Sequence, residues 1–347
     1  MDESPLVVVK TQPFNAETPP TALAPGATPT PLFYVRTNFA PPSVAAEDWR
    51  LTVGGAVARP LTLDLAALHA LPSRTLPVTL ECAGNDRIGL QPLPEGEPWG
   101  GGAVSTGIWR GTPLARVLAH AGLGAGVVEV LFTGADSGAR AGHAGPVPYA
   151  RALAPADALA PDVLLAYELN GAALPAAHGG PVRLLVPGWY GMASVKWLAG
   201  ITALTAPFSG HFQTERYVYH YPDTGEIVPV DRIRVKARIT APVPGAVLAA
   251  GPQQISGLAW AGAGPVARVE VSVEGGGAWQ PAHLGDPPDS PYAWQPWTFA
   301  WTPTRPGRHV LRARATDAAG TVQPDAARWN RLGYGNNSVQ VVVVDVA

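Results

Sequence analysis

The sequence predicts an α+β protein that ends in an all-β sandwich, and three observations carry that reading. First, 39 of its 347 residues are Gly and 38 are Pro, whereas only 14 % are charged. Frequent turn formers with little charge favour short strands joined by tight turns over a helical bundle. Second, apolar strands bounded by Gly or Pro alternate with a few helical stretches up to about Phe208. Third, after about Asp231 the pattern becomes strictly alternating strands with a turn every ten or so residues. The length suits two domains of ordinary size.

Residues 1–31 are rich in Pro, Thr and Ala without periodicity, and are expected as an extended arm packed on the first domain. A first domain is expected over 32–234. Within it, Val78-Thr-Leu-Glu-Cys-Ala-Gly-Asn-Asp-Arg87 is a strand running into a Gly-Asn turn. Pro113 to Gly122 reads as a helix, with Pro in its first turn and Gly at its end. Val127–Phe132, Val163–Tyr167 and Val182–Val186 read as strands. The boundary falls near 230–240, where Pro229 and the charged stretch 231–238 precede Pro242 and Pro244. Over 235–347, Val266–Glu274, His309–Ala315 and Ser338–Asp345 are the strands of an immunoglobulin-like sandwich of roughly a hundred residues.

Composition excludes several classes. With 47 % hydrophobic residues the chain is not disordered, and a net charge of −2 gives no basic surface for nucleic acid or an anionic membrane. No apolar run approaches the roughly 20 residues of a membrane span. Met1-Asp-Glu-Ser-Pro5 lacks a basic segment followed by an apolar one. A cytoplasmic location is expected for the sequence as it stands, and a periplasmic one if an export signal has been removed.

The single cysteine, Cys82, forbids an intrachain disulfide. It is either a small buried hydrophobe or a functional thiol at a strand end. A thiolate there needs positive charge or a metal, and Arg87 is near in sequence. Of the 24 basic residues only three are lysines, Lys10, Lys196 and Lys236, so the chain is supplied with planar cationic forks for holding oxyanions.

Ordered segments along nearly the whole chain add to this. They are Leu32-Phe-Tyr-Val-Arg36, Glu81-Cys-Ala-Gly-Asn85 with Arg87, Trp99, Val163-Leu-Leu-Ala-Tyr-Glu-Leu-Asn-Gly171, His178-Gly-Gly-Pro-Val-Arg183, Val186-Pro-Gly-Trp-Tyr-Gly191, Val195-Lys-Trp197, His211-Phe-Gln213, Tyr217 and Trp329-Asn-Arg331. In these the chain resembles the sulfite oxidase family of molybdenum enzymes, as a haem-free bacterial-type member. The resemblance implies a mixed α+β molybdopterin domain followed by an immunoglobulin-like dimerisation domain, hence a homodimer. It implies Cys82 as the molybdenum ligand of a molybdenum–molybdopterin cofactor, a soft thiolate suiting a site already built of sulfur. Phe33, Tyr34, Arg36, Asn38, His178, Arg183, Val195 and Lys196 match cofactor-binding positions. Arg36, Arg87, Arg331 and Trp99 match the sulfite pocket, with Tyr217 beside the metal's oxo group. The implied reaction is oxidation of sulfite to sulfate, with two electrons passed to an external acceptor, a c-type cytochrome or oxygen. No haem is expected in this chain, since a Cys-x-x-Cys-His motif needs two cysteines.

Two departures stand out. Asn38 occupies a position where relatives often carry a cofactor-binding His. Asp86 replaces a basic residue beside Arg87, and a carboxylate there is expected to weaken the local positive field. The alternatives are the same cofactor acting on another substrate, as in a nitrate or sulfoxide reductase, with Arg331 as discriminator; a non-enzymatic β-sandwich binding protein; and a cysteine-nucleophile hydrolase.

Overall fold

A computed structural model describes residues 5–347, so the first four residues of the expected arm lie outside it. The arm is more regular than its composition suggests. Val7–Lys10 and Asn15–Glu17 pair as an antiparallel hairpin. This hairpin is fastened to the body by a bridge between Ala16 and Val35 and by the Thr18 amide donating to Gly102 O at 2.9 Å.

The architecture is mostly β with few helices, so the helical share of the expected α+β fold is small. Among the described residues the α-helices are α1 (Leu65–His69), α2 (Leu114–Ala121), α3 (Pro155–Ala158) and α4 (His211–Thr214). The physical reason is the density of Gly and Pro, which leaves few stretches long enough to nucleate and propagate a helix. The segment expected to do so forms α2: Leu114, Val117, Leu118 and Ala121 make one buried stripe, and Gly122 at φ 70° ends it.

Two sheets build the first part of the chain. One has the order Ala172–Ala173, Leu164–Leu169, Val104–Pro113, Arg74–Glu81, with Arg183–Leu185 also paired to Leu164–Leu169. The other runs Leu61–Leu63, Leu51–Gly55, Leu198–Leu204, Glu129–Gly138, Val147–Leu153. In it Leu198–Leu204 pairs parallel with Leu51–Gly55 and antiparallel with Glu129–Gly138.

Beyond Val235 two further sheets enclose a separate core of Val269, Val271, Trp297, Leu311, Ala313, Val342 and Val344. Lys236–Ala241, Gln253–Trp260, Gln295–Trp301 and His283–Leu284 form one; Gln340–Val346, Gly307–Asp317 and Val266–Ser272 are the centre of the other. Their inward residues alternate with exposed ones, as a sandwich requires. The two parts meet where Leu258, Trp260, Trp294, Leu332 and Tyr334 join the core of the first. That seam lies against the turn after Arg74–Glu81, which carries Cys82.

Candidate functional site

Cys82 follows the last residue of an eight-residue strand, with its amide held by Ala103 O at 2.8 Å and its carbonyl receiving the Asn85 amide at 2.9 Å. The chain then turns sharply. Asp86 adopts φ 59°, an uncommon conformation for a residue with a Cβ. Trp197, next to Lys196, and Tyr217 share this left-handed backbone, at φ 47° and 56°. Such residues cluster where a site over-determines the chain path.

Cys82 is buried and lines two cavities at once. The first, open to solvent, is also lined by Phe33, Tyr34, Asp136, His178, Arg183, Ser194 and Lys196. The second is lined by Arg87, Glu95, Glu97, Trp99, Arg140, Arg216 and Tyr334. Arg36, Asn38, Cys82 and Tyr217 border both. Burial pushes the Cys82 thiol up, while Arg36, the Gly84 amide and Arg87 pull it back towards thiolate.

The first cavity is lined by Arg36, Arg183 and Lys196, with Asp136 as the single carboxylate on its wall. Arg183 is fixed by donating to His178 O at 2.9 Å and Ser194 O at 2.8 Å, and its guanidinium lies over Trp109. Burial lowers its pKa to about 10. Burial, with Lys196 and Arg183, drives His178 down to about 3, so it is a neutral imidazole. Burial and Arg183 hold Lys196 well below the usual ammonium range. Asp136 is raised to about 6, chiefly by burial, and its Oδ1 has no hydrogen-bond partner. Crowded cations that depress one another fit an anionic group bearing phosphate, the orphaned Asp136 oxygen fits a ring N–H donor, and a buried thiol fits a soft metal. The residues present therefore suit a molybdopterin-type cofactor.

In the second cavity Arg87 is buried in a slot made by glycines. A Cβ on Gly84 would fall 2.5 Å from Arg87 Nη2, and one on Gly96, at φ +116°, 3.1 Å from its guanidinium carbon. Arg87 donates through Nε to Leu332 O at 3.0 Å and through Nη1 to Glu97 O at 2.6 Å. Trp99 is fully buried with an indole N–H that lacks a partner. Arg36 donates to Asn38 Oδ1 at 2.8 Å, to Asn15 Oδ1 at 3.3 Å and to Thr37 O. Asn38 Nδ2 in turn donates to Tyr217 Oη at 3.0 Å. Asn38 thus links the arginine to the tyrosine, a role its residue type did not announce.

Two of the sequence-predicted residues do not join this group. Arg331 points outward, donating to Glu95 Oε1 from Nε at 3.2 Å and Nη2 at 3.1 Å, both side chains more than half exposed. The cause is the adjoining turn: Asn330 receives the Tyr334 amide at 3.0 Å and donates to Tyr334 O at 2.8 Å, so it is Leu332 that turns inward. Val195 is wholly buried in the apolar core and lends its carbonyl to the Leu184 amide, while its neighbours Ser194 and Lys196 face the cavity.

The expectation for Asp86 is also corrected. Burial alone would raise its pKa, but Lys236 at 2.5 Å and Arg238 at 3.2 Å outweigh it and hold Asp86 at about 2. Its charge is neutralised from the sandwich side and does not erode the cavity's field. Sequence reasoning missed Arg140 and Arg216, which supply cations at the outer wall. Arg216 had one available signal, its place beside Tyr217; Arg140, in a Gly/Ala-rich loop, had none.

Residues 38–212 match the family described as "Oxidoreductase molybdopterin binding domain", and residues 228–347 match "Mo-co oxidoreductase dimerisation domain". The mitochondrial sulfite oxidase of Mus musculus is 37 % identical over 96 % of this chain and 64 % of its own length. The chain belongs to the sulfite oxidase family. It spans a little under two thirds of that relative. An inducible NADH nitrate reductase of Glycine max is 34 % identical over 94 % of this chain and 40 % of its own. The sulfane dehydrogenase SoxCD from Paracoccus pantotrophus superposes with a TM-score of 0.83 at 29 % identity, covering 98 % of this chain and 85 % of that one. No helix of the described residues is long and apolar enough to cross a membrane.

Proposed function

We propose that this member of the sulfite oxidase family oxidises sulfite to sulfate with a molybdenum–molybdopterin cofactor, passing two electrons to an external acceptor. The observation that carries the reading is Cys82 at the wall between a cavity lined by Arg183, Lys196 and His178 and a second, arginine-lined one. When bound, the cofactor supplies oxygen-atom transfer and storage of two electrons; overall, sulfite and water give sulfate, two protons and two electrons. The protein's part is binding and electrostatics. His178, Arg183 and Lys196 hold the pterin and its phosphate, with Phe33 and Tyr34 forming an apolar wall, and Cys82 is the metal ligand. Arg36, Arg87 and Arg140 present fixed positive charge to the anion, which stabilises it without reorganisation. Trp99 offers its free indole N–H, and the Tyr217 hydroxyl, oriented by Asn38, gives or takes a proton at Oη. The sheets beyond Val235 are read as an immunoglobulin-like domain that pairs two copies, and a c-type cytochrome is the proposed acceptor.

A second reading, the same cofactor with a substrate other than free sulfite, is favoured by Arg331. With that cation turned out and paired to Glu95, the cavity's arginines are Arg36, Arg87, Arg140 and Arg216, a different arrangement from the expected Arg36, Arg87 and Arg331. A sulfane, as for the Paracoccus relative, or nitrate is the candidate. The deciding experiment is metal and pterin analysis of purified protein with parallel assays of sulfite, sulfane and nitrate turnover. About one molybdenum per chain with sulfite-dependent cytochrome reduction supports the first reading; fully metallated protein inert towards sulfite refutes it.

A further inference from the structure

On the outer side of the second cavity, His143, His211 and Glu215 converge. His211 Nδ1 lies 2.9 Å from Glu215 Oε2 and His143 Nε2 lies 3.3 Å from Glu215 Oε1, so one carboxylate faces two imidazole nitrogens. The two rings cross at 90° with centroids 5.1 Å apart, and one donor atom from each of the three residues lies within 4.8 Å of the others. The two nitrogen–oxygen distances are close to the roughly 3.4 Å edge of a tetrahedron with metal–ligand bonds of about 2.1 Å, and the remaining spacing is at most 4.8 Å. His211 is buried and its Nε2 has no partner, so no second hydrogen bond ties the ring to the protein. An open, mostly apolar cavity borders both histidines and gives solvent a path to the remaining coordination positions.

We propose that His143, His211 and Glu215 form a binding site for a divalent transition-metal ion, separate from Cys82. Two imidazoles and one carboxylate suit Zn²⁺, Co²⁺, Ni²⁺ or Cu²⁺ and are a poor match for Mg²⁺ or Ca²⁺, which take oxygen ligands. The position gives the ion something to do. His143 sits in the loop of Arg140, whose Nη2 donates to Asn38 O at 3.0 Å and whose guanidinium lies 4.2 Å from the Phe39 ring centroid. His211 opens α4, and Glu215 precedes Arg216 and Tyr217. A bound ion ties the Arg140 loop to the Arg216–Tyr217 segment and so fixes two cationic side chains at the mouth of the second cavity. The repulsion of Arg140 and Arg216 is outweighed by the donor set, since the ion meets the Glu215 carboxylate directly.

The test is a Co²⁺ titration of tag-free holoprotein stripped with a chelator and dialysed, read as a difference spectrum against the same protein with Zn²⁺. Saturable visible absorption at one equivalent, displaced by Zn²⁺ and accompanied by a rise in Tm, is expected. His143→Ala, at a partly exposed position, and Glu215→Gln should each weaken Co²⁺ affinity at least about tenfold with molybdenum content unchanged. No saturable absorption overturns the site and leaves the cluster a plain ion pair. Full affinity in either variant also overturns it, because the ion is then bound elsewhere.

Discussion

Lys236 offers the sharpest test of how the sandwich supports the Cys82 turn. It is buried, with Nζ 2.5 Å from Asp86 Oδ2, 3.4 Å from Glu81 Oε1 and 2.9 Å from Asn336 O. Lys236→Met keeps the length of the side chain and removes the charge. Glu81 retains Trp260 Nε1 at 2.8 Å and Asn85 Nδ2 at 2.9 Å, but Asp86 is left with Arg238 as its cation. Removing one partner of a buried ion pair costs about 3–5 kcal/mol, because an uncompensated charge remains. With an unfolding entropy of about 2 cal/mol/K per residue, that lowers Tm by about 4–7 °C for a chain of this size unfolding as one unit. Asp86 adds a pH signature. Its folded pKa of about 2 lies below the unfolded value of 3.8, so its contribution is present above about pH 4 and is lost as pH falls through 2. The gap between variant and parent should be widest near neutral pH and narrow in acid, and Asp86→Asn in the variant should restore part of the loss. Calorimetry across pH reads all three. A Tm within about 1 °C of the parent at neutral pH, or a gap unchanged by the second substitution, refutes the argument.

Three further outcomes are expected. Cys82→Ser should abolish turnover and remove thiolate-to-metal absorption from the holoprotein; unchanged activity rules out Cys82 as ligand. Arg87→Gln should raise the sulfite KM at least about tenfold, roughly 1.4 kcal/mol of lost anion binding, with metal content intact as measured by elemental analysis. Glu17 is buried with its Oε1 unpartnered, and burial raises its pKa to about 7. A raised carboxylate pKa gives stability that is whole below the unfolded value of 4.5 and is lost as pH climbs through 7. Glu17→Gln should therefore be more stable than the parent by on the order of 2 kcal/mol at about pH 8, with no gain near pH 5 in the same melts.

The parts of this protein that were legible in the sequence are those set by local pattern. Alternation in Val266–Ser272 and Gln340–Val346 marks strands with one buried face, and Pro113 and Gly122 bracket the helix between them. Cys82 at a strand end was equally plain. What escaped depends on long-range geometry. The partners of Asp86, Lys236 and Arg238, lie about 150 residues away, so its neutralisation has no local signal. Whether Arg331 or Leu332 faces the cavity turns on one step in a turn fixed by Asn330, which a motif does not encode. Asn38 could be read as the loss of a histidine, but its bridging of Arg36 to Tyr217 depends on a bond to a residue 179 positions further along the chain.

The wall shared by the two cavities bears on how this scaffold can diverge. Arg36, Asn38, Cys82 and Tyr217 each border both chambers. On the proposed assignment, a substitution at such a position alters the substrate chamber and the cofactor chamber together. Residues confined to the outer chamber, Arg87, Glu95, Glu97, Trp99, Arg140 and Arg216, are under one constraint only. New specificity on this framework has to be acquired there, one outer side chain at a time, while the partition stays as it is.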